Sequence, residues 1–276
     1  MQIKQLQQKA AWVRRQVLEA IAAKGKGHIG GTYSCTDVLV ALYYAGILRI
    51  DLKNPRQPDR DRFILSKGHA CLALYSIYLD QGIFTPEKFA EYGVDGGSLG
   101  GQLDIHIPGA EYNTGSLGHA LGIGCGMALA AKMDEKKYKT YILMGDAECL
   151  EGSVWESVMF ASEHGLNNLI GIVDRNRLSV TDVLDDEHVF RNFKEKLQMF
   201  GWNAQVINGH SFEEILSAFE AAKNSDKPFM LLANTIKGKG ISFMENGIKW
   251  HHSVPTPAEL DKARAELKKN EDALSC

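Results

Sequence analysis

The second half of the chain alternates short apolar runs with amphipathic segments. "KTYILMGD", "NLIGIVDRN", "WNAQVING" and "PFMLLANTIKGKG" are rich in β-branched and large apolar residues. Between them lie "GSVWESVMFASEHG", a segment near "FRNFKEKLQMFG", and "SFEEILSAFEAAKNS", whose apolar residues recur at helical spacing. Strands that are apolar on both sides must be covered on both faces, and helical connections do the covering. The pattern therefore predicts an α/β fold: a parallel sheet covered by helices on both faces. The first half adds a buried strand at "DRFILSKGH", followed by the helix "ACLALYSIYLDQG". Residues 3 to about 23 read as a helix that the cluster "KGKGHIGG" stops. "SCTDVLVALYYAGIL" reads as a second helix, with Ser34 or Thr36 as its cap. From about residue 256 a charged terminal helix begins, solvated on its outer face. No repeat or low-complexity linker interrupts the chain, so residues 1–276 read as a single domain.

Composition removes several classes of function. A net charge of −3 argues against a nucleic-acid binder. No apolar run approaches the length of a membrane span. The stretch "MQIKQLQQKAAWVRRQ" lacks the apolar core of a signal peptide, so a cytoplasmic location is expected. The five cysteines (Cys35, Cys71, Cys125, Cys149 and Cys276) are odd in number and contain no C-x-x-C. Neither a disulfide framework nor a zinc site fits; reduced, mostly buried thiols do.

In such sheets ligands bind at the carboxyl ends of the strands. The residues that matter then follow each run: Ser66-Lys67-Gly68-His69, Gly145-Asp146-Ala147-Glu148, Asp174-Arg175-Asn176, Asn208-Gly209-His210 and Lys237-Gly238-Lys239-Gly240. Asp146 and Asn176 sit 30 positions apart, each at a predicted strand end with one helix between. A right-handed crossover puts two such strands side by side. A carboxylate and an amide carbonyl are hard oxygen ligands suited to Mg²⁺, which completes its shell with water and phosphate oxygens. The helix beginning near Gly152 would aim its N-terminus at the same place. Singly, Asp146 reads as a helix cap and Asn176 as a turn residue; together they point to a metal–phosphate site. A P-loop is absent, and "GIGCG" lacks the dinucleotide-binding spacing. Residues 92–115 carry seven glycines without a period, which reads as a long functional loop. Gly118, Gly122 and Gly126 fall on one helical face, where another backbone could approach. That face and the apolar set Trp155-Val158-Met159 are candidates for burial, either inside the domain or against another chain.

"GDAECLEGSVWES…NLIGIVDRNRLSVTD" resembles the thiamine-diphosphate motif, and "DRFILSKGHA", "TGSLGHALGIGCGMA", "DRNRL", "IKGKGIS" and "KWHH" resemble transketolase segments in order. The resemblance covers roughly residues 10 to 255 and implies the family's diphosphate-binding fold. A complete transketolase is more than twice this length. The resemblance therefore implies the N-terminal subunit of a split enzyme, whose C-terminal, pyrimidine-binding subunit supplies the glutamate that activates the cofactor. It implies an α2β2 heterotetramer that moves a two-carbon ketol unit between ketose and aldose substrates, with thiamine diphosphate and Mg²⁺ (or Ca²⁺ or Mn²⁺ in its place) as cofactors.

By this resemblance Asp146, Asn176 and the Leu178 carbonyl hold the metal. Gly145, Ala147 and Glu148 lie at the diphosphate, Ala147 through its backbone N–H. Gly115, Ser116 and Leu117 fall in the loop that touches the cofactor rings, and Lys237 lies near the same cofactor. His69 and His251 contact cofactor and sugar, and His28 faces the substrate. Glu151 and Glu156 match acids that link paired active sites; without the resemblance they read as a solvated first helical turn. His106, His164, His188, His210 and His252 read as surface or structural residues. Three positions depart from the family pattern: Ala147 replaces Gly and requires a negative φ, Gln102 replaces a donor-contacting histidine, and His119 replaces Gln. Gln102 and His119 imply an altered substrate pocket. The alternatives are a component of another thiamine-diphosphate carboligase, or a non-catalytic cofactor-binding scaffold.

Overall fold

The computed structural model describes residues 1–184 and 190–275. The strands are β1 (Arg62–Leu65), β2 (Thr140–Gly145), β3 (Leu169–Arg175), β4 (Asn203–Asn208) and β5 (Phe229–Asn234). The helices before β2 are α1 (Ile3–Lys24), α2 (Ile29–Ser34), α3 (Thr36–Tyr44), α4 (Cys71–Asp80), α5 (Pro86–Phe89) and α6 (Ala120–Met133). After it come α7 (Gly152–Glu163), α8 (Phe193–Met199), α9 (Phe212–Lys223) and α10 (Pro257–Ser275). All strand pairs are parallel, in the order β1-β2-β3-β5-β4. Leu143 is in register with Leu65 on one side and Ile172 on the other.

Each central strand sends alternate side chains to opposite faces, and both faces are apolar. Tyr141, Leu143, Ile170, Ile172, Leu231 and Ala233 join the core beneath α1, α3, α4 and α9. Ile142, Met144, Leu169, Val173, Met230 and Leu232 join the second core beneath α6, α7 and α8. This double burial is the reason the strands read as continuous apolar runs. β1 and β4 are the edge strands, and β4 is only partly covered; its Val206 is exposed. β5 inserts between β3 and β4, so the direction of strand addition reverses beside β3, and the carboxyl ends of β2, β3 and β5 open into one crevice. α10 lies on α1 through buried Ala263 and Leu267 and the Arg15–Glu271 and Arg264–Glu19 ion pairs.

Three local expectations are corrected. Gly25, with φ +65°, ends α1, but Gly30 and Gly31 continue into α2 rather than a loop. A Cβ on Gly30 would lie 2.7 Å from the Trp250 carbonyl oxygen, so glycine here serves close backbone approach. The second predicted helix is α3 (Thr36–Tyr44), separate from α2 before it, and Cys35 rather than Ser34 or Thr36 stands at its N-cap. Thr36 donates to the Thr32 carbonyl at 2.8 Å, while Ser34 points to Asp174 at 2.6 Å. The glycine face is also divided. Gly118 lies in the turn before α6 at φ +89° against Glu151 and Ser153, Gly122 meets Ser157, and Gly126 has open space. Val158 is core and Trp155 packs on Phe193 and Phe200, which leaves Met159 as the exposed member of that trio.

The helical glycines of α6 give a paired prediction. Gly126→Ala should stabilise the chain by about 0.5–1 kcal/mol, because it restricts the unfolded state and meets nothing within 4 Å. Gly124→Ala should destabilise it by about 1–3 kcal/mol, since its Cβ would fall 2.6 Å from Ile142 Cδ1 inside the core. Urea denaturation of the two variants measures both signs.

Candidate functional site

The strand ends converge on a cavity of about 260 Å³. β1 delivers Lys67 and His69, β2 delivers Gly145 through Glu148, β3 delivers Asn176 and Leu178, and the segment after β5 delivers Lys237. His28 enters from the turn before α2, and His251 from the short 3₁₀ turn Ile248–His251. The glycine-rich loop crosses the mouth and contributes Gln102, Gly115 and Leu117. Of the expected residues, Ser116, Glu151 and Glu156 lie outside this lining. Ser116 is exposed and its hydroxyl meets His119 Nδ1 at 3.2 Å. Glu151 and Glu156 are exposed at the start of α7. His119 is also exposed and does not line the cavity, so of the two pocket departures only Gln102 bears on it.

Asp146 is a cap and more. Its Oδ1 accepts from the Ala147 N–H at 2.8 Å and its Oδ2 from the Arg177 N–H at 2.5 Å. The second bond crosses from β2 to the turn after β3, which fixes the two strand ends against each other. Ala147 has no positive φ, as replacement of glycine requires. Burial, and then the charge of Asp174, push the Asp146 carboxyl up to about 6. Asn176 turns its amide nitrogen to Asp174 Oδ2 at 3.2 Å and to Ser34 Oγ at 3.4 Å. Its Oδ1 accepts the Leu178 N–H at 3.2 Å. Glu148 lines the cavity, and its carboxylate also fastens the strand ends around it. Its carboxylate accepts from the Ser66 hydroxyl, the Gly118 N–H at 2.9 Å and the Gly145 N–H at 3.2 Å, tying β1, β2 and the turn before α6 together.

Lys67 and Asp174 carry no signal of their own in the sequence, although both belong to strand-end segments. They form a fully buried ion pair. Burial opposes both charges, but each holds the other ionised: Asp174 is held below the usual carboxylate range and Lys67 above its ordinary value. Lys67 also donates to the Gly31 carbonyl at 2.8 Å, and Asp174 accepts from the hydroxyls of Ser34 and Thr235. Lys237 donates to the carbonyls of Leu178 at 3.2 Å and Ser179 at 2.8 Å and to His251 Nδ1 at 2.9 Å. Burial and the neighbouring Lys67 bring its ammonium down to about 8.

The imidazoles of His28, His69 and His251 form a cluster with centroids 5.1–5.6 Å apart. His252, read as a surface or structural residue, is exposed, and its ring lies 4.5 Å from that of His28 at an adjoining cavity. Burial and neighbouring positive or potentially positive groups bring His28 and His251 down to about 4 and His69 well below its ordinary value. At neutral pH the cluster is uncharged and offers hydrogen-bond donors and acceptors. His210 is structural: its Nε2 accepts the Ile236 N–H at 2.9 Å, so its Nδ1 donates to Asp37 at 2.6 Å. His106 and His164 are peripheral, pairing with Asp104 and stacking on Phe160. His188 lies outside the described residues, as does Cys276.

The histidine cluster sets the acid side of the stability profile. An unfolded His28 or His251 titrates near its ordinary value of 6.5, and the folded one near 4. Between those values the unfolded chain binds more protons, so stability should fall as pH drops from about 6.5 to about 4. Proton NMR of the imidazole C–H resonances should give midpoints near 4 for both residues, and midpoints near 6.5 would refute the neutral cluster. His28→Asn should flatten the decline seen in urea denaturation between pH 7 and pH 5.

Residues 6–273 match the family described as transketolase, thiamine diphosphate binding domain. The chain is 40% identical over 275 residues to a subunit of the apulose-4-phosphate transketolase of Phocaeicola vulgatus, covering 99% of this chain and 98% of that one. It is 40% identical to the 6-deoxy-6-sulfo-D-fructose transketolase subunit SqwG of a Clostridium species, covering 96% of each. Among solved structures, transketolase from Campylobacter jejuni superposes with a TM-score of 0.90 at 29% identity, over 99% of this chain and 46% of that one. The chain thus spans nearly the whole of the two subunit relatives but less than half of the full-length enzyme. Its sheet order, its strand-end crevice and these likenesses agree: the chain belongs to the transketolase family and is a subunit carrying that family's thiamine diphosphate-binding domain.

Proposed function

We propose that this chain is the N-terminal, diphosphate-binding half of a split transketolase that moves a two-carbon ketol unit from a ketose to an aldehyde, with a second chain completing the site. The observation that carries the reading is that Asp146, Asn176 and Leu178, at adjacent strand ends, line one cavity together with His28, His69 and His251. One carboxylate, one amide oxygen and one backbone carbonyl form a hard donor set suited to Mg²⁺, or to Ca²⁺ or Mn²⁺. The buried Asp146 carboxyl, raised to about 6 by burial and Asp174, would be held ionised by a cation there. Asp146, Asn176 and Leu178 would hold the metal, and Ala147 N–H and Lys237 would face the diphosphate. Bound thiamine diphosphate supplies the carbanion chemistry.

The remaining groups of this chain bind and orient. Neutral His28, His69 and His251 can donate to sugar oxygens without adding charge beside Lys67 and Lys237. Gln102, in the lining, presents an amide at the mouth. The two subunit relatives are named for ketoses ending in a phosphate or a sulfonate, which supports a donor with an anionic end group. Glu151, exposed beside Gly118, and Glu156, exposed beside Gly122 and Gly126, are read as contacts to neighbouring subunits in an α2β2 assembly. Residues 1–276 are read as one domain, supported by the one five-stranded sheet with a core on each face. No helix among the described residues is long and apolar enough to cross a membrane. Cys35, Cys71, Cys125 and Cys149 are buried free thiols, which supports a reducing, cytoplasmic setting.

Affinity capture of the chain from its native lysate, with Mg²⁺ and thiamine diphosphate present, should recover a stoichiometric chain resembling the pyrimidine-binding half of transketolase. The pair should sediment as a heterotetramer and transfer ketol units to an aldehyde. Self-association alone, with no second chain and no transfer, would overturn the split-enzyme reading.

A further inference from the structure

The opposite, amino-terminal edge of the sheet holds a second concavity, of about 280 Å³. Arg49 reaches it from the segment after α3, Asp61 from the residue before β1, Lys137 and Lys139 from the approach to β2, and Lys223 from the last turn of α9. Tyr141 forms part of its wall and donates its hydroxyl to the Ile47 carbonyl at 3.4 Å. Seven residues along β2 separate Lys139 from Asp146, roughly 23 Å at about 3.3 Å per residue. This concavity is therefore distinct from the strand-end crevice.

Its charge does not balance. Asp61 is buried, and its carboxylate accepts from the Arg49 N–H at 2.9 Å, Arg49 Nη2 at 3.1 Å and the Lys139 N–H at 2.9 Å. Its negative charge is thus engaged by the Arg49 guanidinium. Nearby Asp59 is paired with Lys136 outside the cavity. Among the described residues Lys137, Lys139 and Lys223 have no carboxylate partner, while the chain as a whole carries a net charge of −3. Lys139 is half-buried, and burial together with Lys223 lowers its ammonium from its ordinary value, against the pull of Asp61. Lys223 complements the carbonyl end of α9, which accounts for one lysine and not for the convergence of three.

We propose that this concavity is a binding site for a small phosphate-bearing anion, separate from the active site. Three lysines without a carboxylate partner line the concavity, and a compact dianion suits them, since a doubly charged ligand compensates more than one cation at once. The volume equals only about nine waters at about 30 Å³ each. It suits inorganic phosphate or a short phosphate monoester.

Isothermal titration calorimetry of the full chain with inorganic phosphate, and separately with glycerol phosphate, tests the site. Wild type should bind at least one of them, and the tighter of the two identifies the source as free phosphate or an ester. K139Q/K223Q should weaken that binding about tenfold or more at unchanged circular dichroism. K139R/K223R should retain it, which separates charge from fold. Equal binding by wild type and K139Q/K223Q, or no binding by wild type at millimolar phosphate, would each overturn the proposal.

Discussion

The buried pair of Lys67 and Asp174 is the interaction on which the site depends. Lys67 follows β1, Asp174 lies near the end of β3, and 107 residues separate them. Through Gly31 and Ser34 the pair fastens α2, and through Thr235 it fastens the end of β5. Asp174 also takes the Asn176 amide nitrogen, which turns the Asn176 oxygen toward the turn at Leu178. Removing one partner of such a buried pair costs about 3–5 kcal/mol, because the other charge is left without compensation. With the pair intact, the ends of β1, β3 and β5 and the helix α2 share one geometry.

The same pair shapes the electrostatics of the crevice. Lys67, with Lys237, adds to burial in keeping His28, His69 and His251 neutral. Asp174 adds to burial in raising the Asp146 carboxyl. The cavity is thus cationic on one wall, uncharged on another, and lined by the carboxylates of Glu148, which fastens the strand ends, and Asp146, which a divalent cation would hold ionised. These properties suit binding of a diphosphate at one end and a polyhydroxylated substrate at the other.

Much of this is legible in the sequence. Apolar runs at β1, β2, β3 and β5 announce a sheet covered on both faces, and Asp146 and Asn176 stand out from their places after two strands. Less legible are groups whose partners are distant in the chain. Nothing in "SKGH" tells that Lys67 is buried against Asp174, or that Ser34 spends its hydroxyl there instead of capping a helix. Glu148 reads as a cofactor-binding residue, and nothing in its segment tells that its carboxylate also fastens Ser66, Gly118 and Gly145. The glycine face fails as a single stripe because α6 starts at Ala120, so Gly118 belongs to a turn.

The most direct measurement is calorimetric titration of thiamine diphosphate into the chain, in the assembly captured with it, with and without Mg²⁺, for wild type and Asp146→Ala. Saturable binding that needs Mg²⁺ and is lost in the variant is the predicted result. Binding that ignores Mg²⁺, or that Asp146→Ala leaves unchanged, would contradict the assignment of the strand-end crevice.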